Sequence, residues 1–138
     1  MFKNTDSFSY DIDPNFDFVI DEKANKYMAL RKIRWGSSEE YKLDLRNYVA
    51  TEDGERMLKG CTFISEEAGH ELSRVLVEQG YGDTETLADT IIENRPELCG
   101  ALIDRFENMD KSQYDELKEG YVNPEEEYHD LDDLAEVI

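Results

Sequence analysis

Between residues 26 and 60 the chain carries eight cations: Lys26, Arg31, Lys32, Arg34, Lys42, Arg46, Arg56 and Lys59. The aromatic residues Trp35, Tyr41 and Tyr48 stand among them. Single-stranded nucleic acid is held by cations that follow the phosphates and by rings that stack on bases, each stacked base contributing about 1–3 kcal/mol. Within residues 41–49 the spacing is sharper. Tyr41, Leu43, Leu45 and Val49 fall on one side of an extended strand, and Lys42, Asp44, Arg46 and Tyr48 on the other. A half-buried strand buries the first set and presents the second. The residues leave two readings of that presented face: an ordinary solvated sheet surface, or a surface for nucleic acid.

Other chemistries find less support. Asp11, Asp13, Asn15 and Glu22 occupy positions 1, 3, 5 and 12 of a calcium-loop pattern, but position 6 is Phe16, where the sharp turn needs glycine. Cys61, Cys99, His70 and His129 have no close metal-ligand spacing, so no metal or cofactor is expected. The two cysteines read as reduced thiols. No nucleophile elbow or phosphate loop occurs, no catalytic residue is assigned, and the chain is not expected to be an enzyme.

The elements that position these residues can be read in order. Residues 1–15 form an acidic arm rich in Ser, Asp and Asn. Residues 16–21 and 26–35 are two strands of a hairpin. Residues 41–49 form the clearest strand, and 58–64 another, with Gly60 suited to a bulge or a close approach. Ser65-Glu66-Glu67 opens an amphipathic helix whose stripe is Ala68, Leu72, Val75 and Leu76, stopped by Gly80-Tyr81-Gly82. Strands followed by a helix give an α+β domain over 16–82. A helical extension covers 83–109: one helix follows Asp83-Thr84, and a second begins at Pro96. Residues 110–138 read as an acidic, flexible tail with a marginal helix at Tyr114, Leu117 and Tyr121.

Charge divides the chain in the same way. Residues 1–25 carry net −4, residues 26–82 net −1 and residues 83–138 net −14, together the −19 of the 138-residue chain. A nearly balanced module thus carries an acidic appendage. No apolar run approaches the roughly 20 residues of a membrane span. The first residues lack the apolar segment of an export signal, so a cytoplasmic protein, nucleoid-associated when bound, is expected.

Three segments in sequence, Lys26-Tyr27-Met28-Ala29-Leu30-Arg31, Tyr41-Lys42-Leu43-Asp44-Leu45-Arg46-Asn47-Tyr48 and Lys59-Gly60-Cys61-Thr62-Phe63, lead into a Glu-rich helix start. In order and spacing they resemble the transcriptional positive cofactor 4 family, with its small bacterial and phage members, over residues 16–80. The resemblance implies a strongly curved antiparallel sheet, one helix, a homodimer formed largely through the helices, and single-stranded DNA bound across the concave sheet surface. By position, Arg46 matches the family's strand arginine, Tyr48 the aromatic after it, Trp35 an aromatic before the hairpin turn and Lys59 the lysine of the Lys-Gly strand. Tyr48 stands where bacterial members carry tryptophan, and Glu39 and Glu40 put acid into the hairpin loop.

These readings lead to a single-stranded DNA-binding protein of replication, recombination or transcription, phage-encoded proteins included, with RNA as a competing ligand. Its contacts are Arg31, Lys32, Arg34, Trp35, Lys42, Arg46, Tyr48, Arg56 and Lys59. The end of the chain, with Asp132, Asp133, Leu134, Val137 and Ile138, resembles the acidic, hydrophobically ended tails of single-strand-binding proteins, which implies a replication, repair or transcription protein as partner. The acid of residues 83–138 supports an alternative: an inhibitor or adaptor that binds proteins by imitating DNA.

Overall fold

A computed structural model of the protein describes residues 9–121. They fold as two compact units, one ending at Tyr81 and the other beginning at Gly82, at the boundary where the charge changes. The first unit is a four-stranded antiparallel meander, order β1-β2-β3-β4, followed by one helix. The α+β reading therefore holds. The strands are β1 (Tyr10–Lys23), β2 (Lys26–Trp35), β3 (Lys42–Thr51) and β4 (Gly54–Thr62), and the helix is α1 (Glu66–Glu78).

β2 coincides with the strand expected over 26–35. β1 is longer than expected, and part of the supposed loose arm belongs to it. Its pairing with β2 skips between Ile12 and Asp17 and again between Val19 and Asp21. Pro14 has no N–H to give a ladder and sits within the first skip, on an edge strand that tolerates it. The calcium-loop pattern is thus spread along a bulged strand. β4 starts at Gly54, four residues before the expected start, because Gly54 takes φ 113° in a tight turn where Thr51 Oγ1 donates to its carbonyl at 2.6 Å.

Register assigns the faces, because directly opposed residues project to the same side. Arg31 opposes Asp44, Ala29 opposes Arg46, Tyr27 opposes Tyr48, and Arg46 also opposes Gly60 on β4. This is the inner face. Ala29, Arg31, Ile33, Asp44 and Tyr48 on it are all buried, Tyr48 completely. Leu30, Leu43, Leu45 and Val49 share the outer face and are only half-buried. The exposure expected from the alternation is therefore inverted: the face carrying Asp44, Arg46 and Tyr48 is the closed one. Bulges on both sheet edges bend the strands, and the sheet curls around these side chains, which the polarity of single residues does not reveal.

α1 lies on the outer face. Lys32 Nζ is 3.3 Å from Glu66, and Gly69 comes so close to Leu43 that a Cβ would stand 2.7 Å from its Cδ1. A Schellman stop ends the helix: Tyr81 N–H donates to Leu76 and Gly80 N–H to Val77, with Gly80 at φ 87°. The apolar stripe Leu72, Val75 and Leu76 remains exposed.

The second unit contains α2 (Thr84–Asn94), α3 (Pro96–Glu107) and α4 (Lys111–Gly120). Asp83 caps α2 by accepting from Thr86 N–H, and Pro96 opens α3 at its first turn. Asp110 accepts from Gln113 N–H, which starts a full helix where a marginal one within a flexible tail was expected. No described helix is long and apolar enough to cross a membrane.

Candidate nucleic-acid interface

The nine contacts expected from sequence do not share one surface. Arg31, Trp35, Lys42, Arg46 and Tyr48 project from the inner face. Lys32 opposes Leu43 and Arg56 opposes Val49, which puts both on the outer face; Arg34 alternates with Arg31 and joins them. Lys59 adjoins Gly60, the partner of Arg46, and turns away from Arg46's side.

Over much of its area the inner face is occupied by its own ion pairs. Arg31 Nε donates to Asp17 on β1 at 2.8 Å, and its two terminal nitrogens each donate to Glu55 on β4 at 2.9 Å. The guanidinium lies 4.3 Å from the centre of the Tyr48 ring, and Tyr27 stacks on that ring at 5.7 Å and donates its hydroxyl to Glu55. Burial opposes the Arg31 charge, but Glu55 and Asp17 outweigh it and raise its pKa above the ordinary value. Burial also raises the Tyr48 hydroxyl, which has no partner of hydrogen-bonding geometry among the described residues. Arg31 is thus a clamp across the sheet, and Tyr48 lies beneath it. In this structure both are engaged within the sheet: the Arg31 side chain is 8% exposed and Tyr48 is fully buried. Asp17 and Glu55 sit on strands remote in sequence, and their reach over Tyr48 exists only once the sheet has curled.

A pH dependence follows from the clamp. Burial raises the Glu55 pKa, but hydrogen bonds from Arg31 and Tyr27 reverse this and leave it below its ordinary 4.5. Its contribution is complete above that value and is lost as pH falls through the depressed one. Tyr27 runs the other way: burial, then the bond to Glu55, push it from 10.0 up to about 12, so its contribution is lost as pH rises across that interval. Urea titrations should show the stability gap between parent and Glu55→Gln shrinking at acid pH. The gap to Tyr27→Phe should shrink above pH 10.0. Gaps that stay constant with pH would refute the clamp.

The other end of the inner face is different in character. Trp35 closes β2, Tyr10 opposes it across β1, and their rings lie 5.6 Å apart. The Arg46 guanidinium is 5.3 Å from the Trp35 ring centre and pairs with Asp44 at 2.9 Å. That hydrogen bond first, against burial, raises the Arg46 pKa. Thr62 Oγ1 donates to the same carboxylate at 2.7 Å. Half-buried Lys42, opposite Ile33, has no ion pair among the described residues, and neither do Arg56 and Lys59 on the other face. Trp35 Nε1 is buried with no hydrogen-bond partner among the described residues. Tyr10, Trp35, Lys42 and Arg46 therefore form a half-open cluster of rings and cations. Tyr10 was missed in the sequence because it lies among Ser, Asp and Asn; its only signal was a register opposite Trp35 that sequence does not display.

Arg34 and Lys32 are less free than expected. Arg34 pairs with Asp11 at 2.7 Å and lies 4.9 Å from the Tyr41 ring centre; Lys32 pairs with Glu66 and lies 4.9 Å from Phe16. The tail residues Asp132, Asp133, Leu134, Val137 and Ile138 lie outside the described residues. Among the described residues no three His, Cys, Asp or Glu gather as a metal site. No family model, curated protein or solved structure matches this chain.

Proposed function

We propose that the sheet unit binds single-stranded nucleic acid, with DNA as the leading ligand, at the Trp35 end of its inner face. The observation that carries this reading is the cluster itself. Two tilted rings, Tyr10 and Trp35, lie 5.6 Å apart beside the Arg46 guanidinium, with Lys42, which has no ion pair among the described residues, on the same face. Rings and cations at this spacing serve base stacking and phosphate contact together. The resemblance to the positive cofactor 4 family supports the same ligand, since its three segments fall on β2, β3 and β4 in the required order. It also supports a homodimer through α1, whose exposed stripe Leu72, Val75 and Leu76 a second copy would cover. The reading carries with it an intracellular role in replication, recombination or transcription. The acidic end of the chain then competes with nucleic acid for the cationic cluster and offers Val137 and Ile138 to a partner protein.

The chain has one tryptophan, so Trp35 reports directly on the cluster. Single-stranded oligonucleotides should quench its emission at low salt more strongly than duplex does. With about four to six phosphate contacts, the slope of log affinity against log salt should be roughly −3 to −4. Lys42→Ala should flatten that slope by about 1. Truncation after Tyr121 should tighten binding at low salt. Absence of quenching by any oligonucleotide at low salt would sink this reading.

One observation favours a second reading. Arg31, Lys32, Arg34 and Arg46 are already neutralised by the chain's own carboxylates, and residues 83–138 carry net −14. A protein-binding inhibitor or adaptor that imitates DNA would show that balance and no oligonucleotide binding at any salt.

A further inference from the structure

α2 and α3 are joined through Arg95 alone, and Cys99 Sγ donates to the Ile91 carbonyl at 3.6 Å where the two helices meet. Along the pair runs a groove lined, among the described residues, by Ala88, Ile91, Ile92, Cys99, Leu102 and Ile103. Ile92 is 68% exposed and Ile103 56%. Such residues usually face the interior, so a contiguous strip of them at the surface marks an interaction site. Helical spacing puts Glu85 and Asp89 beside the strip on α2, and Arg105 and Glu107 beside it on α3, three acids to one base. Asp89 and Glu107 have no ion pair among the described residues. Residues 82–121 hold eleven acids and four bases, net −7.

Charge selects the occupant. A second copy would bring the same net −7 against this surface. The remaining chain, residues 122–138, holds seven acids and no Lys or Arg, so its apolar residues would arrive with like charge. An apolar valley between two helices accepts a third helix through residues at i, i+3, i+4 and i+7. An acidic rim attracts lysines or arginines flanking that stripe. We propose that the α2–α3 groove is a docking site for a basic amphipathic helix of a partner protein. This site is separate from the Trp35 cluster and does not depend on nucleic-acid binding.

The test uses the full chain and a fluorescently labelled synthetic peptide of about 18 residues, ~27 Å long as a helix, with a leucine stripe flanked by lysines. Two control peptides keep the length: one scrambles the same residues so that the stripe disappears, and one replaces lysine by glutamate. The striped basic peptide should bind at least about tenfold more tightly than either control. Ile92→Ser/Ile103→Ser, which leaves every charge in place, should weaken it about tenfold, with far-ultraviolet circular dichroism verifying the helices. If that variant does not fold, Asp89→Asn/Glu107→Gln keeps the groove and should weaken binding and flatten its salt dependence. Equal binding of the striped and scrambled peptides would mean charge attraction alone and overturn the proposal. A change in sedimentation between the parent and the serine variant, without peptide, would assign the groove to a second copy. Binding that emerges only after truncation following Tyr121 would assign it to the chain's own end.

Discussion

Arg31→Met is expected to destabilise the sheet unit by about 2–4 kcal/mol while leaving oligonucleotide quenching of Trp35 unchanged wherever the variant is folded. The guanidinium is 8% exposed and satisfies Asp17 and Glu55 at once. Removing it leaves two carboxylates facing each other across a buried ring. Both carboxylates keep some solvent, 41% and 27% exposed, so the loss falls below that for a wholly buried pair. Urea denaturation followed by tyrosine and tryptophan emission measures it. Arg31→Met/Glu55→Met should recover part of the loss, because one stranded charge is gone. A loss under about 0.5 kcal/mol, the size of an ordinary surface substitution, would mean that the clamp does not hold the sheet. Loss of binding in a folded Arg31→Met protein would return Arg31 to the ligand surface.

Gly60→Ala is expected to cost about 1–3 kcal/mol and to weaken oligonucleotide binding as well. An added Cβ would lie 2.4 Å from Arg46 Cβ, 2.5 Å from its Cγ and 2.6 Å from its Cα. Because a backbone atom is among them, a rotamer change cannot relieve the clash, and the Arg46–Gly60 pairing must open. Arg46 would then shift against the Trp35 ring, 5.3 Å away. Gly100 in α3 supplies the contrast. A Cβ there meets nothing within 4 Å, so Gly100→Ala should gain roughly 0.5–1 kcal/mol from helix propensity. Thermal unfolding of the two variants beside the parent separates a packing effect from a general effect of replacing glycine. Equal stability of Gly60→Ala and parent would contradict the close approach of β3 and β4.

These expectations show which parts of the molecule sequence pattern reaches. Alternation marks β3, the polar turns on either side mark β2, and Ser65, Asp83, Pro96 and the Gly80-Tyr81-Gly82 stop mark the helices, because those signals act within a few residues. Asp110 gives the same capping signal as Asp83, but the acidity around it pointed to a tail. The curl of the sheet depends on bulges whose register is set by the partner strand, so local pattern starts β1 only at residue 16 and cannot tell the closed face from the open one. The candidate site suffered for the same reason. Lys42, Arg46 and Trp35 were found as types suited to nucleic acid, and they do share the inner face. Nothing local to Arg31 announces that Asp17 and Glu55 converge on it.

The Arg31 clamp also bears on the order in which the sheet forms. Every strand pairing in the meander joins neighbours in sequence, so each hairpin can zip up locally and quickly. Arg31 and Tyr27 reach Glu55 from 24 and 28 residues away, past an intervening strand. Those contacts require β3 and β4 to be in place first and so belong late in folding. Interactions made after the rate-limiting barrier leave the folding rate nearly untouched and slow unfolding instead. The clamp therefore acts as a latch on a quickly assembled sheet: with Arg31→Met, the refolding limb of the kinetics should stay where it is and the unfolding limb should rise.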